Sequence, residues 1–222
     1  VGDWSYFGFT SPVRGGRFRA EVSPMFGDLN TVTTIADYRR YFNQYPFTLA
    51  MRGLHFGRYG PDAEGSLFTR QTFLGYETLI RGYAYESFTF EECTGSNNCP
   101  VFDQLWGSRL AVANLELRVP FIGVEQYGLI NFPFLPTELS VFADAGLAWT
   151  SGTPCEDGTA PSVGCSPVFK WDAPNERSPV VSTGVSARFN VLGFAVFELY
   201  YAYPFQRPEK GWHMGFQLAP GW

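Results

Sequence analysis

The residues of this chain that could do chemistry are few, and most sit where chemistry is hard to assemble. The four cysteines fall as two close pairs, Cys93 with Cys99 and Cys155 with Cys165, each flanking a stretch rich in Gly, Asn, Ser or Pro. An even count in loop contexts reads as two local disulfides made in an oxidising compartment. A zinc site is the other use of such pairs. Neither pair has metal-hairpin spacing, however, and the two histidines, His55 and His213, lie far away in sequence. Glu91, Glu92 and Asp157 read as solvated loop acids rather than a calcium site. Nothing arranges Ser, His and Asp as a triad, and Gly-x-Ser-x-Gly, phosphate loops and dinucleotide fingerprints are all absent. No enzyme activity, metal or cofactor is expected. What remains is a set of charged residues spread over several segments: Arg81 in a long loop, Glu116 and Arg118 in the segment after it, Asp144 in the next. Guanidinium–carboxylate pairing is the chemistry those residue types offer.

The elements that must hold these residues are strands. Aromatics make up 18% of the chain and charged residues 17%, against about 25% charged in a soluble domain. Yet no apolar run reaches the roughly 20 residues of a membrane helix. Apolar content in short pieces points to a membrane barrel or a soluble β-sandwich. A soluble sandwich decorates its surface with Lys and Glu. Here the lysines are Lys170 and Lys210 alone, both in loop-like regions, which favours a surface that faces lipid. The net charge of −5 and the lack of any Lys/Arg run argue against nucleic acid.

The hydrophobic period is two. Val181, Thr183, Val185, Ala187, Phe189 and Val191 share one face, and Ser182, Gly184, Ser186, Arg188 and Asn190 the other. Leu139, Val141, Ala143, Ala145 and Leu147 oppose Ser140, Phe142, Asp144 and Gly146, and Leu115 and Leu117 oppose Asn114, Glu116 and Arg118. The apolar side faces out and the polar side in, as in a membrane barrel wall. Eight strands follow, over about 16–26, 31–42, 46–58, 107–120, 137–150, 179–192, 194–204 and 211–219, in an antiparallel up-and-down order. Asp37, Arg39 and Arg52 fall at lumen positions. Residues 1–15 form a lead-in segment or an extra strand, and 16–222 form the barrel. The long loops 59–106 and 151–178 share one end, which the usual asymmetry of such barrels makes the external one. Eight strands could close on themselves or form the C-terminal half of a larger barrel. No signal peptide is visible at Val1, so the sequence reads as a mature or trimmed form.

One ordered set of motifs is more specific. Leu79-Ile80-Arg81-Gly82-Tyr83 is followed by Asn114-Leu115-Glu116-Leu117-Arg118, then Phe142-Ala143-Asp144-Ala145-Gly146, then Ser182 to Arg188 and Tyr201-Ala202-Tyr203-Pro204. This order resembles the C-terminal barrel of the bacterial surface antigen family, which includes the BamA-type assembly factors and the two-partner secretion transporters. The resemblance covers roughly 70–222. It rests on the lid-loop signature Arg-Gly-Phe/Tyr and the wall signature Phe-x-Asp-x-Gly. It implies a bacterial outer-membrane protein whose lid loop folds into the lumen, with Arg81, Gly82 and Tyr83 as the loop motif and Glu116, Asp144 and Gly146 on the wall. Arg81 is expected to pin the loop through Asp144, Glu116 or both, because an unpaired charge in a confined, dry space is costly. Gly82 would allow close backbone approach, and Gly146 would leave room for the loop. The implied activity is insertion of outer-membrane proteins or polypeptide translocation, with membrane lipid and upstream periplasmic domains or partner proteins as partners. The alternative is a structural or anchoring barrel that displays disulfide-braced loops or tethers a partner domain.

Overall fold

A computed structural model describes residues 1–64, 71–89, 92–93, 99–124, 128–132, 134–150, 153–154, 165–166, 178–191 and 193–218. Eight long strands dominate it: β1 (Pro12–Met25), β2 (Thr31–Gln44), β3 (Phe47–Tyr59), β4 (Arg109–Gly123), β5 (Thr137–Trp149), β6 (Val180–Val191), β7 (Ala195–Pro204) and β8 (His213–Leu218). Each pairs antiparallel with the next in chain order. The fold is therefore an all-β meander. Among the described residues β1 and β8, the first and last of the eight, do not pair with each other, so these strands form an open, barrel-like wall rather than a ring closed by eight. No helix among the described residues is long and apolar enough to cross a membrane.

The strand bounds lie within a few residues of those read from the periodicity. The largest departure is at the start, where β1 begins at Pro12. Ahead of it, Gly2–Asp3 and Tyr6–Phe7 pair back onto β1 as two short strands. Residues 130–131 also join the sheet, running parallel to the end of β4.

Register turns the alternation into rows. Across β4, β5 and β6, Asn114 stands opposite Asp144, which stands opposite Ser182. The next inward row runs Ala50, Glu116, Phe142, Gly184 and Ala202. The last runs Glu138, Arg188, Glu198 and Gln217. These positions are buried although many are charged, whereas Leu115, Leu117, Val141, Val185, Leu199 and Met214 on the opposite face are exposed. Such an inverted pattern suits a wall with lipid outside. In water, that many exposed large apolar side chains on one surface would drive association.

Described residues of the connection between β3 and β4 cover the inner face. Residues 72–73 pair with 106–107. Phe73, Leu74, Ile80, Tyr83 and Leu105 pack with Leu110, Val112, Ala148 and Val180 of the wall. Rings of Tyr85, Phe88, Phe102 and Trp106 extend this cluster. Apolar burial therefore holds the loop at the loop-bearing end of the wall, and the polar rows below it are left for ion pairing.

Candidate functional site

Arg81 enters the inner face from the loop, and its guanidinium is 2% exposed. Its Nε and Nη2 donate to the two carboxylate oxygens of Asp144 at 2.8 and 2.9 Å, a bidentate fork. Its backbone N–H adds a third bond to Asp144 at 3.2 Å. Nη1 lies 2.6 Å from Glu116 and 2.9 Å from Glu198. The guanidinium stacks 3.6 Å from the centroid of the Phe142 ring. Burial works against the charge, but Asp144 and Glu116 outweigh it and hold the group protonated, its pKa well above the usual arginine value.

The wall residues around Arg81 form one network. Arg188 reaches Glu116 at 2.8 Å, Glu198 at 3.3 Å and Glu138 at 3.4 Å. Arg118 bonds the other Glu116 oxygen at 2.7 Å and the Pro12 carbonyl at 3.3 Å. Gln217 donates to Glu198 at 2.6 Å, and Asn114 to both Asp144 and the Leu79 carbonyl. Ser11 donates to Glu138 at 2.8 Å, and Asn190 to the Phe9 carbonyl, so the segment ahead of β1 is tied across the turn end of the wall. Three guanidiniums and four carboxylates thus share one dry space.

Two glycines matter to the seating of the loop. Gly82 has φ 93°, which L side chains avoid. A Cβ there would meet its nearest neighbours at 3.4 and 3.5 Å, an ordinary distance. The need for glycine is thus the backbone turn and not, as the motif suggested, a close approach. Gly146 is the reverse case: a Cβ there would collide with Ile80 and press on Leu74. Tyr83 completes the motif, its hydroxyl donating to Gln206 at 2.5 Å.

A second clamp was not foreseen. Arg207, in the β7–β8 connection, is 2% exposed and bonds Glu92 through two nitrogens at 2.6 and 2.8 Å. It also donates to the carbonyls of Gly82 and Ser87 and to the Ser87 hydroxyl, and stacks 3.8 Å from the Phe88 ring. Glu92 is therefore not the solvated loop acid its local sequence suggested. It is paired because a distant connection folds over it. A disulfide joins Cys93, next to it, to Cys99. Of the expected Cys155–Cys165 pair, Cys155 lies outside the described residues, as do Glu91 and Asp157. Asp37, with Arg39 at 2.6 Å and Arg52 at 3.1 Å, forms a further inward cluster, and Arg52 donates to the Thr78 carbonyl of the loop. Among the described residues no group of three or more His, Cys, Asp or Glu is placed to hold a metal ion.

Burial disfavours the Glu92 carboxylate, but the hydrogen bonds from Arg207 and Thr89 outweigh it and hold its pKa below the ordinary glutamate value. A depressed carboxyl stabilises above that ordinary value, about 4.3, and its contribution is lost as pH falls through the lower, folded value. Pepsin nicking of residues 82–93 should therefore rise steeply as pH drops from 5 to 2. Glu92→Gln should already be nicked at pH 5 and lose that acid step. Identical pH profiles for the two proteins would show that the clamp does not hold the loop.

Comparison with protein-family patterns matches the Omp85 superfamily domain to residues 12–221. Comparison with curated proteins finds no match.

Proposed function

The chain belongs to the Omp85 superfamily, and from that premise we propose that it forms outer-membrane barrel wall with residues 71–89 latched inside as a lid, and that it serves the insertion of outer-membrane proteins or the passage of polypeptide. The observation that carries this reading is the single guanidinium of Arg81 bound to carboxylates of three strands, β4, β5 and β7. A loop that merely connected β3 to β4 would not need to close the inner face with a buried charge, which is costly unless paired. One bound to three strands stiffens the wall and senses any change in their spacing. The outward apolar face supports lipid as the surrounding medium, and partner proteins or upstream periplasmic domains would deliver the polypeptide.

The test is assembly of a urea-denatured small outer-membrane barrel in vesicles that contain the full chain, followed by its heat-modifiable gel mobility. The client should fold several times faster than in empty vesicles, and Arg81→Ala should remove most of that gain. Inserted chain that leaves the rate of empty vesicles unchanged would contradict the reading. An anchoring wall without transport activity would then be the better account.

A further inference from the structure

The outward face of β2–β8 carries few charges, and they are of one sign. Every strand acid there points inward: Asp37, Glu116, Glu138, Asp144 and Glu198. The outward cations are Arg40, near the turn end, and Arg109, the first residue of β4. Arg109 sits opposite Trp149, the last residue of β5, and its guanidinium carbon lies 4.5 Å from the ring centroid of Tyr59, the last residue of β3. The three therefore share the rim of the wall where the long loops emerge.

This cluster is built rather than incidental. His55 Nδ1 lies 3.0 Å from the Leu110 carbonyl, which can only accept, so Nδ1 carries the proton. Its Nε2 then accepts from the Tyr59 hydroxyl at 2.9 Å. The His55 ring also stacks on Trp149, with centroids 5.8 Å apart. Tyr59 and Trp149 are thus fixed on either side of Arg109. The Arg109 Nε, however, is buried and has no hydrogen-bond partner among the described residues. Among the described residues no acid of the outward strand face offers this guanidinium, held between aromatic rings, a counter-charge. Its planar fork matches phosphate oxygens, and tyrosine and tryptophan sit at headgroup depth.

We propose that Arg109, framed by Tyr59 and Trp149, binds the phosphate of a membrane-lipid headgroup at the loop-bearing rim of the wall. The site rests on the membrane reading given above. For an outward rim at the external surface, the lipid is a phosphorylated glycolipid of the lipid A type.

Native mass spectrometry of the detergent-released full chain tests it, with lipid A and its fully dephosphorylated form as probes. The phosphorylated form should bind about tenfold more tightly, the effect of one charge-assisted contact. Arg109→Gln should lose that preference, and Arg109→Lys should keep part of it. An unchanged preference in Arg109→Gln would overturn the site. Displacement of lipid A by millimolar inorganic phosphate would overturn the lipid assignment, since the site would then be one for free anions. Heat-modifiable migration in vesicles is read on both proteins. Wild-type chain that fails to insert would sink the membrane reading and this site with it, whereas inserted Arg109→Gln with unaltered preference sinks the headgroup site alone.

Discussion

Replacing Arg81 with alanine is expected to release residues 71–89 from the inner face and to destabilise the protein by about 3–5 kcal/mol, the usual effect of removing one partner of a buried ion pair. The reason lies in what is left behind. Asp144 loses both guanidinium hydrogen bonds, and Glu116 and Glu198 each lose a cation within 3 Å. The sheet prevents the carboxylates from moving to water, because they belong to the centres of β4, β5 and β7. Arg81→Lys should recover less than half of the loss, since an ammonium cannot reproduce the fork on Asp144 or the stack on Phe142. Gly146→Val supplies the control. It leaves every charge in place but puts a branched side chain where Ile80 lies, so it should expose the loop to protease without disturbing the wall carboxylates. Limited proteolysis and urea denaturation in bilayers read both effects. Arg81→Ala with wild-type loop protection would contradict the latch.

Arg188→Ala should have an effect of similar size but a different character. Arg188 joins Glu116, Glu138 and Glu198 across three strands. Without it, four carboxylates face two guanidiniums, and like charges crowd the row Glu138–Glu198. We expect a loss of about 3–5 kcal/mol, expressed in the unfolding of β5–β7 rather than in release of the loop, since the Arg81–Asp144 contact is untouched. Arg188→Met fills the same volume without charge and should not rescue, because the unpaired acids remain. Hydrogen exchange separates the two variants. Arg81→Ala should speed exchange in 71–89 first, and Arg188→Ala in 180–204 first. Matching exchange patterns would mean that latch and wall form one cooperative unit.

The strands were legible because their inside is polar and their outside apolar, a reversal that period-two reading reports directly. Membership of Glu116, Arg118, Asp144 and Arg188 on the inner face followed from the same alternation. Which acid meets which base did not, because that depends on register: Arg188 stands between Glu138 and Glu198 only once β5, β6 and β7 are aligned. Phe142 looked like an apolar residue on the wrong face, and the structure supplies its reason as the ring beneath Arg81. The Arg207–Glu92 clamp was hidden for another cause. Its partners are 115 residues apart and both lie in connections, where no periodicity marks a facing side. Ser11 was likewise out of reach, since its bond to Glu138 depends on where the lead-in segment crosses the turn end.

Amide hydrogen exchange of residues 72–83 in bilayer-embedded wild-type protein tests the central claim most directly. These amides include Leu74, bonded to Leu105, and Arg81, bonded to Asp144. A loop latched in the lumen should protect them for hours, as strongly as the amides of β5. Exchange within seconds, as for an exposed connection, would contradict the latched lid and leave Arg81 without the role assigned to it.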